Sequence, residues 1–148
     1  MVPEIVTGIA RVSELQKSSY TILPGATNVP QIIAFVDACF GSSACEKDAS
    51  DLIAAMLIAV ARVRRHPLGF HEFAAAVLDH GIERCMTVFV QRGKRLPVLS
   101  YAQTSIYAQW PTTRREKALA TALEVLRLYP SLPNFVVRRP ESKVGSGT

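Results

Sequence analysis

The amino-acid sequence predicts an α+β fold in which helix dominates: four or five helices packed on a small antiparallel hairpin, with a third short strand at 134–138. Three observations carry this prediction. The 148 residues are 49% hydrophobic, enough to fill one core, which rules out a chain disordered throughout. Apolar residues recur at helical spacing most clearly in 49–65, 70–80 and 114–129. Between the last two, Met86, Val88 and Val90 alternate with Thr87, Phe89 and Gln91, which is the period of a strand.

Taken in order, Pro3 to Lys17 places Ile5, Ile9 and Val12 at helical spacing behind a proline suited to a first turn. Ser18 to Pro30, with Pro24-Gly25, Asn28 and Pro30, reads as a loop. Gln31 to Phe40 is a short apolar helix closed by Gly41. Asp48 or Ser50 caps the strongest helix, 49–65, whose stripe is Leu52, Ile53, Met56, Leu57, Val60 and Val63. Pro67 and Gly69 end it. In 70–80, Phe70, Phe73, Ala74, Val77 and Leu78 face one way, and Gly81 is a stop. Arg92-Gly93-Lys94 is the hairpin turn and Leu96 to Ala102 the returning strand, with Pro97 placing it at an edge. Thr113-Arg114-Arg115-Glu116 has the spacing of a capping box for 114–129, which Pro130 and Pro133 terminate. Residues 1–141 then form one domain, and the polar tail 142–148 is expected to be disordered.

The longest apolar run, Leu52 to Val63 with nothing to break it until Arg62, is about a dozen residues, short of the roughly 20 that span a bilayer. No basic stretch followed by an apolar block opens the chain, so the expected location is the cytoplasm. Three cysteines, Cys39, Cys45 and Cys85, are an odd count that argues against a disulfide framework, and their spacing does not fit a zinc knuckle. Neither a metal nor a cofactor is expected. His66, His71 and His80 do not share a ligand spacing. There is no glycine-rich phosphate loop and no G-x-S-x-G elbow.

Charge is unevenly distributed. Residues 1–61 hold three basic and six acidic side chains, net −3. Residues 62–148 hold fourteen basic and six acidic ones, net +8. Two groups stand out as candidate binding residues: Arg62, Arg64 and Arg65 at the end of the 49–65 helix, and Arg92, Lys94 and Arg95 at the hairpin tip. Either could meet phosphate or carboxylate, and either could equally be a solvated face with helix-dipole pairing. The order helix, turn, helix, hairpin mimics a winged helix. The second helix, however, offers His71, Glu72, Asp79 and His80 where a groove reader wants Arg, Lys, Asn or Gln. Tyr101, Tyr107, Trp110 and Tyr129 read as an aromatic seal on the edge of the core.

Residues 52–105 carry a further pattern. A helix at 52–65 runs into His66, a second helix covers 70–80, a strand covers Met86–Gln91, and Ser100-Tyr101-Ala102-Gln103-Thr104-Ser105 follows a short turn. This order resembles the toxin-activating lysine acyltransferases, whose fold is related to the GNAT acetyltransferases. The resemblance implies that His66 is the base activating an acyl acceptor and that acyl carrier protein is the donor. The surroundings of that histidine read Arg64-Arg65-His66-Pro67-Leu68 here, not the family's Ser-Pro-x-His-Arg, and no aspartate follows Asp79.

The sequence therefore favours a small binding or interaction domain over an enzyme, its basic part facing an acidic protein partner. Acyl transfer at His66 and nucleic-acid binding are the alternatives. A homodimer through the hairpin edge or an uncovered helix stripe is compatible with the apolar content.

Overall fold

The computed structural model describes residues 29–63, 68–132 and 136–137. The helix expected over Pro3–Lys17, the residues Arg64, Arg65 and His66, and the tail 142–148 lie outside the described residues.

Helix α1, Val29–Ala38, begins with Pro30 in its first turn, where the missing N–H costs no hydrogen bond. Helix α2 runs Ala44–Val63 and starts earlier than Asp48 or Ser50 would place it. The reason is a reciprocal cap: the Glu46 amide donates to Ser43 Oγ (3.2 Å) and the Ser43 amide donates to Glu46 Oε1 (3.1 Å). Ser43-Ala44-Cys45-Glu46 is thus the capping box of this chain. Every residue from Leu52 to Ala59 is buried, so α2 is covered all round rather than along a stripe.

Helix α3, Phe70–His80, has the bounds the sequence predicts, with Phe70, Phe73, Ala74 and Val77 buried. Gly81 follows at φ +92°, a region that disfavours side chains, and one residue then serves both neighbouring helices. Its amide donates to the Val77 carbonyl (2.9 Å) and its carbonyl accepts from the Cys85 amide (3.0 Å).

The hairpin is overturned here. Helix α4, Ile82–Arg92, occupies the expected first strand. Helix α5, Val98–Gln109, occupies the second. The alternation of Met86, Val88 and Val90 competes with a longer helical set, Ile82, Cys85, Met86 and Phe89. The helical set wins because it is the one that meets the core: Ile82 and Met86 are buried, whereas Val88 and Val90 are 38% and 37% exposed. Gly93 at φ +47° and a short 3-10 turn, Gly93–Arg95, separate α4 from α5. Pro97 is the residue before α5, and its carbonyl accepts from the Tyr101 amide (2.8 Å).

Helix α6, Thr112–Leu126, buries Ala118, Leu119, Ala122, Val125 and Leu126. It starts ahead of Thr113 and has no side-chain cap, so the expected box at Thr113–Glu116 does not form. A 3-10 turn, Tyr129–Ser131, follows. Strand β1, Leu68–Gly69, pairs antiparallel with strand β2, Val136–Val137. This two-residue ladder is the sole sheet among the described residues. It falls within the expected third strand, but the partner is the segment before α3. The fold is mostly helical, not helices packed on a hairpin.

At the centre, α2 packs against α1, α5 and α6. The ring of Phe70 meets Phe35 edge-on, centroids 5.1 Å apart, and joins α3 to α1. Arg114 of α6 reaches Asp48 of α2 through two hydrogen bonds, 2.8 and 3.0 Å, while its guanidinium lies 4.3 Å from the Trp110 ring centre. His71 donates from Nε2 to the Leu132 carbonyl (2.6 Å) and stands edge-on to Tyr129, tying the end of the Tyr129–Ser131 turn to α3. The four aromatics therefore do not form one seal. Tyr107 and Trp110 are buried together, Tyr129 sits beside His71, and Tyr101 is exposed.

Helix α5 is partly turned inside out, although its Tyr107 is buried. Its inward side carries two hydroxyls: Ser100 Oγ donates to the Ala55 carbonyl of α2 (2.7 Å), and Thr104 donates to the Ser100 carbonyl (2.6 Å). Its outward side carries Val98, Leu99 and Ile106, 82%, 49% and 48% exposed. A backbone carbonyl inside a helix retains a second lone pair, and Ser100 uses it.

Among the described residues, no helix is long and apolar enough to cross a membrane.

Candidate functional site

Arg62 stands in the last turn of α2, where a cation complements the helix dipole. Arg92 ends α4, and Arg95 lies on the turn that follows. Positive φ at Gly93 allows the chain to double back at this point. As a result, three guanidinium-bearing side chains separated by up to 33 positions line one cleft of about 360 Å³. Its walls are apolar: Val60 from α2, Val88 and Phe89 from α4, and Leu96 and Pro97 beyond them. All three arginines are exposed, and none makes an ion pair with another described residue. Three like charges around an apolar floor attract an anion, and guanidinium favours carboxylate or phosphate through its planar fork.

Lys94 shares the turn but does not line the cleft. Arg64, Arg65 and His66 lie outside the described residues. The structure thus joins the two basic groups of the sequence through Arg62, Arg92 and Arg95. The expected hairpin tip is a helix end, and the winged-helix arrangement goes with the hairpin.

Behind this cleft, α2, α3 and α4 enclose a second cavity of about 210 Å³. It is lined by Met56, Val60, Leu68, Phe73, Val77 and Phe89, with Glu72 and His80 among its few polar neighbours. Val60 and Phe89 line both spaces. Phe89 is the residue that sequence reasoning missed, because strand alternation paired it with Thr87 and Gln91 as an outward side chain. Its spacing of seven from Ile82 and four from Cys85 is the signal that would have found it.

The opposite flank of α4 borders a third cavity of about 380 Å³, where Glu83, Gln91, Arg115 and Glu116 mix both signs of charge. Burial pushes the Tyr107 hydroxyl above its ordinary pKa here, against the opposing pull of Arg115. On the first flank, burial likewise pushes the Cys85 thiol up, and Arg84 partly offsets the shift. Among the described residues, no three of His, Cys, Asp and Glu are placed to hold a metal ion.

The chain matches no protein-family model, no curated protein and no solved structure.

Proposed function

We propose that this chain is a binding module whose basic cleft takes an acidic segment of a partner protein. The observation that supports this is the convergence of Arg62, Arg92 and Arg95, from two elements far apart in sequence, on one cleft with an apolar floor. The cleft lies at the small end of the range for ligand sites, which leaves room for a few side chains of a peptide. A duplex reader needs a helix or ribbon that enters a groove, and α3 presents Glu72 and Asp79 on its exposed side. An exposed ion pair contributes about 0–1 kcal/mol, so three of them give modest affinity that salt weakens.

Fluorescence anisotropy with a labelled octaglutamate peptide tests the reading. Binding should fall steadily from 50 to 300 mM salt, and the triple variant R62E/R92E/R95E should weaken it at least tenfold. Affinity indifferent to salt or to the triple variant sinks the proposal. Tighter capture of a DNA duplex with a steeper salt slope would move the site to nucleic acid.

A further inference from the structure

We infer that the apolar cavity beside the arginine cleft is an anchor pocket, and that the acidic segment bound there carries one leucine- or phenylalanine-sized side chain next to its carboxylates. This inference rests on the basic-cleft reading and specifies the chemistry of its partner.

Size argues for a side chain. The cavity holds about 210 Å³. An apolar cavity of about 150 Å³ already accommodates benzene, whereas sites for free small molecules start near 300 Å³. The lining is apolar almost throughout, and Met56 supplies a flexible thioether that adapts to either shape.

Continuity argues for one ligand across both spaces. Phe89 and Val60 form the shared wall, so a group in the pocket lies against the same ring that floors the cleft. Phe89 and Arg92 are three residues apart on one face of α4, about 4.5 Å along the axis. An extended peptide advances about 3.3 Å per residue, so the first carboxylate lies one to two positions along from the anchor.

Charge sets the direction. The three arginines all stand on the cleft side of the wall that Val60 and Phe89 share. The acids of the segment must therefore run from the anchor towards Arg62, Arg92 and Arg95. The segment is polarised, with its apolar residue at one end of its acidic run.

Two labelled peptides test this on the full chain: one leucine followed by four glutamates, and the same peptide with serine in place of leucine. The leucine peptide should bind at least tenfold tighter, equivalent to about 1.4 kcal/mol. Ala76→Trp, at an exposed position that lines the pocket, should fill it and erase the difference while leaving the serine peptide unaffected. The leucine peptide should also slow alkylation of Cys85, which lines the same pocket, and leave Cys45 unchanged. Equal, salt-sensitive binding of both peptides overturns the anchor pocket and spares the basic cleft. Failure of both peptides to bind overturns both readings. Self-association of the chain that Ala76→Trp abolishes would give the pocket to a second copy and overturn the proposal.

Discussion

Helices α3 and α4 are each eleven residues long and are joined by a single glycine, yet they do opposite work. α3 buries four residues, two of them phenylalanines, and is fixed by the core on one side and by His71 on the other. α4 buries Ile82 and Met86 alone and leaves both flanks to line cavities: Phe89 and Arg92 on one side, Glu83 and Gln91 on the other. A helix held by a narrow stripe can present recognition residues on its flanks without disturbing the core. The helix before it supplies the rigidity that keeps those residues in place.

The sharpest way to break this comparison is to place a charge on each helix. Ala74→Lys should abolish cooperative folding, because Ala74 is fully buried in the core and lines none of the cavities. Val88→Lys, on α4, should change stability by no more than about 0.5 kcal/mol in urea melts. A destabilised Val88→Lys would mean that α4 is as core-bound as α3. Truncation gives a smaller contrast. Phe70→Ala should cost about 3–5 kcal/mol, since it empties a fully buried site that also contacts Phe35. Phe89→Ala, half-buried, should cost less than half as much while weakening ligand capture. Equal losses would remove the division between the two helices.

The joint itself comes next. Gly81→Ala meets no steric clash but forces a side chain to φ +92°, and should cost about 1–3 kcal/mol. Because Gly81 bonds to both helices, hydrogen exchange should quicken in the last turn of α3 and the first of α4 together. Exchange that changes in one helix alone would show the joint to be divisible. The smallest effect concerns the flank thiol. With its pKa raised by burial, Cys85 should alkylate at pH 8 more slowly than a free cysteine, and Arg84→Ala, which removes the opposing charge, should slow it further. The sign for stability follows. A folded-state pKa above the unfolded value makes stability complete below the ordinary thiol pKa and lets it decline as pH rises through the folded one. Cys85→Ala should therefore flatten the alkaline limb of the stability curve.

The same pair of helices shows what the sequence could reveal. α3 was legible because its apolar set fits one period and Gly81 marks its end. α4 was ambiguous because valines at 88 and 90 create an alternation that burial then overrides. Local pattern records both periods, and only the tertiary partner chooses between them. Capping gave a similar lesson. Thr113 to Glu116 and Ser43 to Glu46 have the same spacing, and the one that forms is the one preceded by a loop at Gly41 and Ser42. At Thr113 the helix has already begun, so the Glu116 amide that the hydroxyl would cap belongs to the helix's own hydrogen-bond ladder. Of the candidate site, the arginines were visible as charge, but their meeting was not. It depends on α4 being a helix, which carries Arg92 to the mouth of the space beside Arg62.

The inverted face of α5 has a thermal consequence. Hydrophobic attraction fades as water is cooled, and elements secured by apolar burial loosen with it. The bond from the Ser100 hydroxyl to the Ala55 carbonyl does not draw on that attraction, and it ties α5 to α2. Ser100→Ala should therefore take away a larger share of the stability in the cold than at room temperature, although the opposite face of the same helix is apolar and turned to the solvent.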